Sequence, residues 1–424
     1  QNENTPELLL TITDASGNAV TDITSLTYKK VTDGKGNTIS GYDITNKSGV
    51  ITLFNNKEIT ASPTKTDEWN ITVTLVNYDK DQSNNMGKSF NAKLMIQKEK
   101  IPTVLSDVCT SGNNLATCIT TLSNKSEPSI VNIYHHTSSL ANGAGDNSYR
   151  YAGASDQVNN FVCFGSTTSP CPTDNLYRII GVFGENNHGV TGKQLVKLIK
   201  YDYATSNLLG TDGDYKGSVT SDSGFYEGSL TSIDTYYWNT VTGNNTWSES
   251  NLNKINLNTN FINNIGSTWA NKIATVTWKV GGNTYANIRD AVPSTAYQNE
   301  VVNPVTTNST DNATTYSAKV GLMYASDYGF GAVPEAWTTK LYSYDGSVNG
   351  ATIRTQNWMH MGFDEWTISR TSANSRHALI VSGGGCMYNS YVGNGGGVRP
   401  SFNLLSSTTY VSGSGSMSDP IRVN

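Results

Sequence analysis

The residues of this chain that could do covalent or metal chemistry are few, and most are placed badly for it. Cys386 and His377 stand nine positions apart, close enough to meet across a hairpin as a thiol and its base, but no third group is at hand to orient the histidine. Asp364 and Glu365 are adjacent, so on a strand they point to opposite faces and cannot work as a carboxylate pair. His135 and His136 lack carboxylate partners at ligand spacing, which makes them packing or surface residues rather than a metal site. Asp79, Asp81, Ser83 and Asn85 have the spacing that opens a calcium loop, yet the sixth position is not glycine and Phe90 holds the twelfth, so a solvated hairpin turn is expected. The residues point to no catalytic group, no metal and no cofactor.

The other four cysteines fall into two local pairs, Cys109 with Cys118 and Cys163 with Cys171, each bracketing a turn rich in Gly, Ser, Asn or Pro. Local disulfides in an oxidising compartment are the simplest account. Zinc is the alternative, but it would want CxxC-type spacing or nearby histidines. Cys386 is left over.

What remains is a stretch suited to contact rather than catalysis. From Thr371 to Gly395 the chain is almost entirely small or polar, and Arg376, His377, Tyr388 and Tyr391 are its only large polar or aromatic side chains. Tyrosine supplies rigid amphipathic contact area, and Ser, Gly and Asn supply adaptable hydrogen bonds. The stretch lies between two stiff ends, Met361 to Arg370 and Val398 to Leu404, and a loop held by rigid strands is where binding residues concentrate. Expected ligand-binding residues are Thr371, Ser372, Asn374, Arg376 and His377 on one edge, and Ser382, Cys386, Tyr388, Asn389, Tyr391 and Asn394 on the other. If Ile368, Leu379, Val381, Val398 and Phe402 face the core, the period of two puts Ala378, Ile380 and Ser382 on the opposite face.

The elements that must hold this stretch are mainly β. Residues 6 to 98 read as a β-sandwich of seven or eight short strands, with LLLTITD, LTYKKV, GVITLF and WNITVTLVNY broken by SGN, DGKGN, NKSG and DQSNN. NAKLMIQKEK reads as its last strand, and Ile101-Pro102 as a boundary. Residues 99 to 130 read as a connector carrying the first cysteine pair, and 131 to 424 as an α+β ligand-binding domain. NLYRIIGVFG and KQLVKLIKYDY are its clearest strands and make a hairpin. Leu257, Phe261, Ile262, Ile265 and Trp269 recur at spacings of three and four, predicting a helix that Gly266 stops. TTYVSGSGSMSDPIRV closes the chain with a strand after a Gly-Ser turn.

Charge and composition narrow the partners. A net charge of −5 leaves no basic face for nucleic acid or anionic lipid, and charged residues make up only 15 % of the chain, their place taken by Asn, Ser, Thr, Gly and Tyr. No run of eighteen apolar residues occurs, so no transmembrane segment is expected in this chain. Gln1 has no signal-like apolar core behind it, which implies an export signal or anchor cut away or omitted.

The order LYRIIGVF, a helical pair, VGLMYASDYGF, GFDEWTISR, a variable-looking stretch and GVRPSFNL resembles the C-type lectin fold in its formylglycine-generating-enzyme-like branch. Glu365-Trp366 after Gly362, and Gly397 with Arg399, approximate that branch's G-x-x-x-E-W and GFR segments, the first with one residue fewer in the gap. The resemblance covers roughly residues 100 to 424, and residues 6 to 98 look similar to the Ig-like sandwich modules found ahead of such domains. It implies a C-type-lectin-like domain of the kind found in variable proteins of diversity-generating retroelements and in exported bacterial surface proteins. Retroelement variation acts at codons that cannot become Lys, Glu, Gln, Trp or Met, and between Thr371 and Gly395 only Met387 is out of class. The copper-binding cysteine pair of the sulfatase-activating enzymes is missing, as is the calcium cluster with the EPN or QPD motif of the calcium-dependent lectins, so neither chemistry carries over. The implied function is that of an extracellular adhesin or receptor-binding protein on a bacterial surface, its ligand a protein or glycan on another cell or host surface. A shaft or tip subunit of a surface fibre, with the sandwich polymerising, is the alternative, and an enzyme of the formylglycine-generating type a third.

Overall fold

A computed structural model describes residues 7–21, 23, 25–54, 68–82, 90–94, 102–220, 225–304, 314–372 and 374–424. The chain is mainly β, 30 % strand against 22 % helix in several sheets, and it divides into two compact units, Gln1–Glu99 and Lys100–Asn424.

In the first unit the alternation of apolar residues produces strands Leu8–Asp14, Tyr28–Thr32, Thr38–Asp43 and Trp69–Leu75. They form one antiparallel sheet in which Thr38–Asp43 and Leu8–Asp14 are central. The turn between the second and third strands is a side-chain-capped loop: Asp33 Oδ1 accepts from the backbone N–H of Lys35 and of Asn37 at 2.9 and 2.7 Å. One face buries Leu10, Ile12, Ile23, Tyr42 and Ile44. A sandwich needs a second sheet, and the described residues of this unit contain only this one. GVITLF is not a strand; Ile51, Leu53 and Phe54 instead pack irregularly against the same core, with Phe54 4.4 Å from Trp69 between ring centroids. Residues 91–94 are likewise not strand, and the rest of NAKLMIQKEK, Ile101, and Ser83 and Asn85 of the calcium-like spacing lie outside the described residues.

The second unit is built on a nine-stranded sheet. Leu176–Phe183 and Leu195–Lys200 form the expected antiparallel hairpin at its centre, buried along their whole length. Ser401–Asn403 pairs with Leu195–Lys200 on one side, Phe161–Cys163 with Leu176–Phe183 on the other. The closing strand Ile421–Val423 returns parallel to Phe161–Cys163 and so joins the end of the unit to its middle. The segment read as a connector, 99 to 130, falls from Lys100 onward within this unit. Asn114 caps a helix over Leu115–Lys125 by accepting from Thr117 N, and the spacing of Leu115, Ile119 and Leu122 places all three in the main core. Both disulfides form, Cys109–Cys118 and Cys163–Cys171, each stapling a local turn.

The helical evidence around Leu257 becomes a wide-turned π-helix, Leu252–Phe261, followed by a short α-turn that ends at Gly266 with φ +80°. Its asparagine side chains take carbonyls of their own. Asn258 Nδ2 donates to Asn253 O and to Val320 O, and Asn256 Nδ2 to Leu209 O. Phe261 meets Phe402 of the main sheet at 5.8 Å, and Phe402 also touches Phe164 and Tyr177 at 5.0 and 5.4 Å.

Candidate functional site

The expected binding stretch is an antiparallel three-strand meander, Glu365–Thr371, His377–Val381 and Met387–Tyr391. Trp366 opposes Ile380 and Arg370 opposes Ala378 in the first pair; His377 opposes Tyr391, Leu379 opposes Asn389 and Val381 opposes Met387 in the second. The middle strand is buried on both faces. Ala378 and Ile380 are as enclosed as Leu379 and Val381, so the face opposite the core-facing set is not an outward one. A period of two states which residues share a face, not whether something covers it.

Side chains from elsewhere seal the meander from behind. Trp238 Nε1 donates to Thr367 O at 2.9 Å and Trp366 Nε1 to Tyr236 O at 2.8 Å, tying segment 232–238 to the first strand. Gly395–Gly396 pairs with Ser232–Tyr237 as the edge of a third sheet. A Cβ on Gly396 would stand 2.9 Å from the Trp366 ring, and one on Gly397 2.6 Å from the Tyr203 ring. These glycines are where backbone must approach an aromatic ring, so the back of the glycine-rich stretch is framework.

Three of the eleven expected binding residues are interior. Thr371, Ser372 and His377 are buried, because the 371–377 turn is fastened from within. Asn245 Nδ2 donates to Thr371 O and His377 O at 2.8 and 2.7 Å, Thr371 Oγ1 donates to Asn374 O at 2.8 Å, and Ser372 N donates to Asn283 O at 2.9 Å. The His377 ring lies between Tyr391, at 4.4 Å, and Tyr285, at 6.0 Å, and burial lowers its pKa, so it is a neutral packing residue. Asn374, Ser382, Cys386 and Asn389 are half-buried. Arg376, Tyr388, Tyr391 and Asn394 are exposed, Tyr388 and Tyr391 at 49 % and 53 %.

The enzymatic pairings do not assemble. His377 opposes Tyr391 at one end of its hairpin, while Cys386 precedes Met387 at the other, roughly 15 Å away along the strand. The Cys386 thiol is 3.1 Å from Ser382 Oγ and in no disulfide. Glu365 is committed to Arg399, and Asp364 Oδ1 accepts from Gly383 N at 3.0 Å. No group of three or more His, Cys, Asp or Glu able to hold a metal ion occurs among the described residues, and no helix there is long and apolar enough to cross a membrane.

The outer face also takes residues from far upstream that sequence reasoning missed. Arg289 Nη1 donates to Asn389 Oδ1 at 2.7 Å, and its guanidinium lies 5.6 Å from the Tyr388 ring, 5.5 Å from Tyr285 and 4.8 Å from Tyr342. Tyr342 is 48 % exposed. Arginine thus stiffens a group of solvent-facing tyrosines drawn from three parts of the chain. Nothing local in YANIRD or KLYSYDG marks these residues, because they acquire meaning only by meeting the edge strand. No protein family, curated protein or solved structure matches this chain.

Proposed function

We propose that the chain is an exported cell-surface binding protein of the adhesin or receptor-binding type, with a C-type-lectin-like second domain behind an N-terminal β module. The observation that carries this reading is the edge strand Met387–Tyr391, which displays Tyr388 beside Arg289 and Tyr342, and Tyr391 against the His377 ring, on a fully packed support. Rigid tyrosines and an arginine over a polar rim suit a protein or glycan epitope on another cell or host surface. The diversifiable positions are those at the surface, Asn374, Arg376, Ser382, Cys386, Tyr388, Asn389, Tyr391 and Asn394, while Thr371, Ser372 and His377 hold the turn. Sequencing this gene across one population tests the reading. Variation gathered at the exposed positions is expected, and variation spread evenly along residues 102 to 424 would sink it.

A specific observation favours the fibre reading as second. Ile71, Val73 and Leu75 are exposed on Trp69–Leu75, an edge strand of the first unit's sheet, and an apolar edge is a template for pairing between chains. Light scattering of the full chain at high concentration separates the two: ordered assembly supports the fibre, a monomer the receptor-binding protein.

A further inference from the structure

Lys197 and Asp327 meet deep inside the second unit. Lys197 belongs to the central strand Leu195–Lys200, and Asp327, 130 residues later, to the helix Ala325–Gly331. Lys197 Nζ stands 2.5 Å from Asp327 Oδ2, with the two side chains 5 % and 2 % exposed. The rings of Tyr324, Trp278 and Phe183 lie 4.4, 5.2 and 5.7 Å from Nζ and close the pair off from water. Tyr324 N donates to Oδ2 at 3.0 Å, and Arg150 Nη1 to the other oxygen, Oδ1, at 3.3 Å.

We propose that Lys197 Nζ and Asp327 Cγ become joined by an intramolecular isopeptide bond. Burial among aromatic rings penalises the ammonium form of Lys197, and the contact offers a direct path for its proton, leaving the free amine that the step requires. Burial lowers the pKa of Lys197 despite the opposing carboxylate. The neighbouring Glu300 accepts from Ser326 N at 2.7 Å, so it sits on the turn that carries Asp327, and burial pushes it up to about 7. Below neutrality it is therefore mostly uncharged and adds little negative charge to hold Lys197 as ammonium.

The step balances without a further reagent. One proton passes from Nζ to Oδ2, and the freed lone pair attacks Cγ to form the Nζ–Cγ bond. Oδ1 takes up the negative charge facing the Arg150 guanidinium. A second proton passes from Nζ to Oδ2, the Cγ–Oδ2 bond breaks with its electron pair on oxygen, and one water leaves an amide that keeps the third hydrogen. A cavity of about 10 Å³ bordered by both residues has room for about that one water. The bond would tie the centre of the main sheet to the helix on which the Glu365–Thr371 strand packs, since Ser369 Oγ accepts from Ala325 N at 3.1 Å and donates to Glu300 Oε2, whose Oε1 accepts from Ser326 N.

The test is the intact mass of the full chain after reduction of its disulfides. A mass lower by one water, with a branched peptide linking Lys197 to Asp327 after proteolysis, is expected. Lys197→Arg, which keeps the cation but cannot close the bond, restores the missing water, and Asp327→Asn reaches the same cross-linked mass by losing ammonia. A reduced wild-type chain at its full sequence mass, yielding linear peptides with unmodified Lys197 and Asp327, would overturn the proposal whether or not either variant folds.

Discussion

Arg399 Nε stands 2.7 Å from Glu365 Oε1, and the two side chains are 0 % and 2 % exposed. One residue begins the strand that enters the candidate binding stretch and the other follows the glycines that leave it, so this contact closes a loop of 34 positions. Arg399 Nη2 also donates to Met359 O at 2.5 Å, which anchors the pair to the framework in front. Removing one partner strands a buried charge, so Glu365→Ala or Arg399→Ala should each cost about 3–5 kcal/mol. Replacing both with apolar residues of similar volume should recover most of that loss. Chemical denaturation of the two single variants and the double variant measures the coupling, and additive losses would show that the pair does not act as a unit.

The glycines of the stretch should separate into two kinds. Gly396→Ala drives a methyl against the Trp366 ring and should cost about 1–3 kcal/mol. Gly384 is exposed, with Ser382 Oγ 3.7 Å from the place a Cβ would take, so Gly384→Ala should stay within about 0.5 kcal/mol of wild type. Equal melting temperatures for the two variants would contradict the assignment of residues 395 to 397 to the framework.

How far the sequence could be read depends on how local each cause is. Turn chemistry and spacing suffice for the two disulfides, for the hairpin of Leu176–Phe183 with Leu195–Lys200 and for the stop at Gly266, because their partners are near in sequence. Alternation misleads at His377–Val381, where both faces are covered by residues distant in sequence; Asn245, for example, reaches His377 O across 132 positions. Thr371 and Ser372 look like loop residues by type, and only Asn245 and Asn283 make them interior. Arg289 and Tyr342 carry no motif at all, and the edge strand alone gives them a role.

The pH dependence of stability should bear the mark of Glu300. Burial raises its folded pKa from 4.5 to about 7, so between those values the folded chain holds a proton that the unfolded chain has released. Stability from this group is therefore full below pH 4.5 and is lost as pH rises to about 7. Glu300→Gln keeps the uncharged form, and its stability relative to wild type should increase by about 3 kcal/mol across that window. His360, pushed down to about 3 by burial, works in the opposite sense, since its stabilisation is lost as pH falls below 6.5. Both proteins contain His360, so it cancels in the difference. A flat difference between pH 4.5 and 7 would mean that Glu300 ionises in the fold as it does in water.

Binding and stability should dissociate across the meander. Leu379 is buried on the middle strand, so Leu379→Ala should cost about 2–5 kcal/mol, and Ile380→Ala should fall in the same range because its face is covered too. Tyr388 and Tyr391 are half in solvent, and their alanine variants should stay within about 1 kcal/mol of wild type. Capture of the full chain on arrays of glycans and of cell-surface proteins should show the reverse order. Tyr388→Ala and Tyr391→Ala should weaken binding by about 2 kcal/mol or more, roughly thirtyfold, as buried-on-binding tyrosines do. Arg289→Ala should weaken it as well, because that guanidinium fixes Asn389 and lies against Tyr388 and Tyr342. Ser372→Ala should leave binding alone, its side chain being interior. Should Tyr388→Ala and Tyr391→Ala lower the melting temperature as far as Leu379→Ala does, the tyrosines belong to the core and the ligand surface lies elsewhere on the molecule.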